Sequence, residues 1–165
     1  MASGQCFTIE QDSGEICGCS FIYQFDVRGT GPSYAEIGTM RITANGNDLQ
    51  DFLTRLHLMQ IRLEDAEPQT VETFAVVSPN TASEYVLTTK SGLTRWSVPG
   101  VLALLRSQTG VPFDPAKYAL HADQAAFEKA LADLRAWHIS GRRFRTSKGA
   151  DVEVAMAWFD PVLLA

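Results

Sequence analysis

The chain has 165 residues, 45% hydrophobic and 20% charged, with a net charge of −5. That is enough apolar length for a self-sufficient core, which excludes a disordered, collagen-like or disulfide-stapled chain, and the negative balance argues against a surface that grips nucleic acid or anionic lipid throughout. No run approaches the ~18 consecutive apolar residues of a membrane span, and residues 1–9 lack the basic start and apolar stretch of a secretory signal, so the expectation is a soluble cytoplasmic protein.

In chain order, the first elements read as strands. Residues 6–10 alternate, Asp12-Ser13-Gly14-Glu15 is turn chemistry, and from Ile16 the odd positions Cys17, Cys19, Phe21, Tyr23, Phe25 and Val27 are apolar. Between them fall Ser20, Gln24 and Asp26. A period of two predicts a hairpin over residues 5–27 whose odd face, both thiols included, turns to the core. Gly29-Thr30-Gly31-Pro32-Ser33 breaks the sheet, and a third strand covers 34–44. A helix follows over 48–64, capped by Asn47 or Asp48, with Leu49, Phe52, Leu53, Leu56, Met59 and Leu63 forming one apolar stripe that packs on the sheet. Leu58 and Ile61 fall on the opposite side, among Asp51, Thr54, Arg55 and Arg62. Either the C-terminal half covers them or they form an exposed patch for a partner.

Two runs of β-formers, 71–78 and 85–89, predict a second hairpin through a Ser-Pro-Asn loop. Ser97 then caps a short helix over 98–108, with Pro99 in its first turn and Gly110 closing it. Residues 111–120, with Pro112 and Pro115, read as a connector. The next helix covers 123–139, capped by Asp123, with Phe127, Ala130, Leu131, Leu134 and Trp137 on one face and Gly141 beyond its end. A closing hairpin, 142–147 and 151–159, turns at Lys148-Gly149. This order predicts an α+β fold: an antiparallel-rich β-sheet of hairpins packed against two or three helices, as one domain over 1–165.

Charge is lopsided along the chain. Residues 1–89 carry net −8 and residues 90–165 carry +3. The halves either neutralise each other on folding or leave an acidic face for a basic partner. The cysteine count is odd, and Cys17 and Cys19 are too close along a strand to bridge, which fits a reducing compartment and small buried thiols. No further ligand follows Cys17-Gly-Cys19 at zinc-site spacing, so neither a metal nor a cofactor is expected.

Motifs for a serine nucleophile elbow, a zinc helix, a dinucleotide or phosphate loop and a paired Cys-x-x-Cys are absent from the sequence. His57 sits near the edge of its helix's apolar face, His121 just before the second long helix, and His138 at the core-facing angle of that helix. Any of them could serve as a general base if a carboxylate oriented it, which would make the protein a small hydrolase or transferase. Arg142, Arg143, Arg145 and Lys148 around Phe144 could hold an anion or a nucleic-acid backbone, or could simply guard an edge strand against aggregation. The leading expectation is a protein-binding role: an acidic surface of Asp48, Asp51, Arg55, Arg62, Glu64, Asp65 and Glu67 around Leu58 and Ile61 that captures a basic protein partner such as a toxin or effector. In size, charge and lack of catalytic motifs the chain resembles the small acidic immunity and inhibitor proteins that bacteria make against their own toxins.

Overall fold

A computed structural model describes residues 3–10, 13–26, 33–42, 46–64, 71–97, 114–140, 142–145 and 151–154. The alternating N-terminal segment forms the expected hairpin, β1 (Ser3–Glu10) antiparallel to β2 (Ile16–Asp26), and β3 (Ser33–Ile42) continues it antiparallel. Helix α1 (Gly46–Glu64) then carries the chain to β4 (Val71–Val77), which lies parallel to β3. Parallel neighbours cannot be joined by a tight turn, so a crossover of this length is needed between them. Strand β5 (Thr94–Arg95) pairs with β6 (Tyr118–Ala122), itself antiparallel to β4, giving one six-stranded sheet in the order β1-β2-β3-β4-β6-β5. The fold class is therefore α+β, with a mixed sheet that is antiparallel except at β3–β4.

The alternation in β2 is as expected, but its faces are inverted. Ser20 and Ile22 are the buried side chains, whereas Cys19 and Phe21 are half-buried and Tyr23 is 40% exposed. Cys6 is exposed as well, so neither described N-terminal thiol is a core residue. The aromatics on the outer face shield one another: Phe21 and Tyr23 stack at 6.3 Å, and a Cβ added at Gly38 of β3 would stand 3.0 Å from the Tyr23 ring. Glycine leaves the room in which the ring lies flat on the sheet.

The second expected hairpin is replaced by helical turns. After Ser78-Pro79, Asn80 takes a left-handed φ of 60°, and Thr81 caps α2 (Ala82–Tyr85) by accepting from the Glu84 backbone N–H. The chain continues as a π-helical turn, Val86–Lys90. Val86, Thr88 and Thr89 have strand propensity, yet Val86 and Leu87 are buried in this helical turn, so packing overrides propensity. Glu84 accepts from the Asn80 backbone N–H and from the Tyr118 hydroxyl, which ties this turn to β6. Residues 118–120, read above as the end of a connector, form β6 together with His121 and Ala122, because Leu120 and Ala122 fit the helix-covered face while Ala119 joins Tyr34 and Phe74 on the other.

Helix α1 is buried on nearly all sides, from Leu49 through Met59 except at Gln50, and again at Ile61. Leu58 and Ile61, 0% and 3% exposed, belong to the core cluster with Ile37, Ala75, Leu120, Ala126 and Ala130. Their cover comes from the sheet, from Leu87 and Leu93, and from α3 (Gln124–Ser140), whose Asp123 cap accepts from the Ala126 N–H as expected. At residues 142–154 the strands β7 (Arg142–Arg145) and β8 (Asp151–Val154) form the closing hairpin as a separate two-stranded sheet. The expected helix over 98–108 and the side chains of Cys17, Leu63, Trp137 and His138 lie outside the described residues.

Candidate functional site

The sheet brings together one histidine pair at a surface cleft. Across the β4–β6 ladder Phe74 stands opposite His121, so Glu72 is the diagonal neighbour of His121 on the same face, within reach of a long side chain. His121 Nε2 lies 2.6 Å from Glu72 Oε2. The short β5 strand brings Trp96 beside them: its backbone N–H donates to the Ala119 carbonyl at 2.9 Å, and its indole stacks on the imidazole with centroids 5.2 Å apart. Phe74 and Tyr34 pack against the same indole. The His121 side chain is thus stacked on the indole and held by a carboxylate while remaining 25% exposed.

Residues Glu72 and His121 also line a cavity of about 340 Å³ where α1 ends, β4 begins, and β6 passes into α3. Its apolar wall is Ile61, Val71, Ala122 and Phe127. The polar lining is Arg62, Glu72, His121, Asp123 and Gln124. A volume in this range, lined by apolar and polar residues together, suits a small ligand. Asp123 is engaged as the helix cap and the Gln124 amide donates to Glu128 at 2.8 Å. Among the described residues Arg62 has neither an ion pair nor a hydrogen bond, and among the described lining residues none is a serine, threonine, cysteine or lysine.

A second histidine pair is closed to substrate. His57 Nε2 and Ser20 Oγ share a hydrogen bond at 2.6 Å, both residues are 0% exposed, and the Phe7 ring lies 4.8 Å from the imidazole. Burial pushes the His57 pKa down to about 4, so the ring is neutral at pH 7. Its Nδ1 has no hydrogen-bond partner among the described residues. The tautomer that donates from Nε2 to Ser20 leaves a bare lone pair there instead of a bare N–H, and in that tautomer His57 does not act as a base toward the serine. The pair is a buried polar anchor between α1 and β2.

Several residues expected on a docking surface are used internally. Arg55, 2% exposed, lies 3.1 Å from Asp51, donates to the Lys90 carbonyl at 2.6 Å and pairs with Asp133 of α3. Ser91 donates to Asp51 at 2.8 Å, and Lys129 adds a second cation at Asp133. Buried charges persist only when paired this way, so Asp51 and Arg55 hold the helices together, and with Leu58 and Ile61 interior as well the expected patch has no exposed centre. Of the remaining residues in that expectation, Arg62 lines the cavity, while the side chains of Asp48 and Glu64, and residues Asp65 and Glu67, lie outside the described residues. The β7–β8 register sets Arg143 opposite Glu153 and Arg145 opposite Asp151, with Arg142 opposite Val154. Lys148 lies outside the described residues.

Sequence reasoning noted His121 but not its partner. Glu72 stands 49 positions away, and only the strand pairing brings the two together. The alternation of Tyr118, Leu120 and Ala122 around Ala119 and His121 was the available signal. No described helix is long and apolar enough to cross a membrane, and among the described residues no group of His, Cys, Asp or Glu is arranged to hold a metal ion. No protein-family model matches the chain, and none of the curated proteins is significantly similar to it.

Proposed function

We propose that the protein binds a small molecule in the cavity beside β6 and uses His121 as a general base on it, in a hydrolytic or group-transfer reaction. The observation that carries this reading is the carboxylate-held, partly exposed imidazole of a residue that, with Glu72, is among those lining a ligand-sized cleft. With its Nε2–H donated to Glu72, His121 keeps the Nδ1 lone pair for a proton, and Glu72 stabilises the imidazolium that forms. The described lining holds no serine, threonine, cysteine or lysine, and Glu72 and Asp123 are already engaged by His121 and by the start of α3, so the attacking group is a water or a hydroxyl of the ligand. His121 takes its proton as the new bond forms and returns it to the departing oxygen.

The test is turnover of small activated esters, p-nitrophenyl acetate and butyrate, by the wild type and by His121→Asn and Glu72→Gln, each first shown to unfold cooperatively. The expected loss in kcat/KM is roughly 10²- to 10⁴-fold for His121→Asn, with a smaller loss for Glu72→Gln. Equal rates in wild type and His121→Asn on both esters would refute the reading.

A further inference from the structure

From the distribution of used and unused polar groups in the cavity, we infer that its ligand is a small monocarboxylate with an apolar body. This rests on the reading of the cavity as the ligand site and adds the class of ligand to it. Of the polar lining groups, Glu72 is taken by His121, Asp123 by the start of α3, and Gln124 by Glu128. The Arg62 guanidinium is the lining cation, and among the described residues nothing neutralises it. A planar carboxylate matches its fork of N–H donors, and such charge-assisted pairs are about twice as strong as neutral ones. In the same cavity Ile61, Val71 and Phe127 offer surface to an aliphatic or aromatic body. The charge of the anion is limited by the same lining. Two carboxylates share the cleft with one guanidinium, so a dianion such as phosphate meets more repulsion than a singly charged acid does.

The experiment titrates hexanoate, phenylacetate, their two neutral amides and inorganic phosphate into the protein and follows backbone amide resonances of Ala122 and Phe127. Wild type, Arg62→Gln and Arg62→Lys are compared, the last keeping the charge without the fork. The expected result is that at least one acid shifts these resonances, that Arg62→Gln weakens it roughly 10- to 100-fold with Arg62→Lys between, and that the amides and phosphate bind weakly or not at all in every variant. If acids and amides bind alike, or Arg62→Gln changes nothing, the inference fails while the cavity remains a ligand site. If no acid shifts Ala122 or Phe127, the inference also fails, and the ester assay on His121→Asn decides separately whether the cavity works on a ligand.

Discussion

His57 shows how one residue can make a fold depend on pH without taking part in chemistry. Its ring is fully buried, its pKa is lowered from 6.5 to about 4 by desolvation, and the unfolded chain regains the ordinary value. The folded state therefore resists a proton that the unfolded state accepts. The stability held above pH 6.5 is lost as pH falls from there toward 4 and changes no further below it; the shift corresponds to about 3 kcal/mol at most. Denaturant unfolding at pH 7 and pH 4.5 should show this loss in the wild type. His57→Leu, less stable at pH 7 because Ser20 loses its partner, should show a shallower dependence over the same interval. Equal slopes in the two proteins would remove His57 as the cause.

At the scale of elements, α1 is the member on which most of the packing converges. An amphipathic reading gives a helix one buried stripe, and the stripe from Leu49 to Met59 is indeed buried. The opposite side is buried too, because Leu58 and Ile61 lie in one core cluster with residues of the sheet, the π-helical turn and α3, and Arg55 is neutralised there by Asp51 and Asp133. Replacing Leu58 by Ala should therefore cost about 2–5 kcal/mol, and Leu58→Asp should abolish cooperative unfolding followed by circular dichroism. A folded Leu58→Asp protein would return that side of the helix to the surface. Periodicity located α1, α3 and the first three strands because each carries its own repeat. It put residues 85–89 in a strand because Tyr, Val and Thr favour one, and the Thr81 cap and the burial of Val86 and Leu87 decide otherwise. It also gave the aromatic face of β2 to the core, since an alternating strand does not say which of its two faces a helix will cover.

Across the whole molecule, the two electrically unlike halves meet through specific contacts. Arg55 of the acidic half pairs with Asp133 of the basic half, and Glu72 of the first meets His121 of the second. Arg55–Asp133 joins a base of the acid-rich half to an acid of the base-rich half, so it ties the halves together without cancelling the excess of either, and the pairing of Glu72 with His121 explains why the candidate site was only half legible in the sequence. The histidine was visible; its carboxylate, its stacked indole and the guanidinium near it come from segments that the sheet order alone makes neighbours. It follows that a chain ending at Ser97, which lacks β6 and α3, should not fold: Leu58, Ile61 and Arg55 would lose cover and counter-charge together. The check is thermal unfolding of that fragment, expected to show no cooperative transition. A sharp transition would mean that the first half forms its own core.

The indole of Trp96 lies nearly parallel to the His121 ring, 21° between planes. An imidazolium stacked on an excited indole quenches it far more than the neutral ring does, so the light this tryptophan emits is coupled to the charge of the proposed base. The protein contains three tryptophans. With Trp137 and Trp158 changed to Phe, its intrinsic fluorescence becomes a continuous readout of whether the imidazole holds a proton, with no added dye.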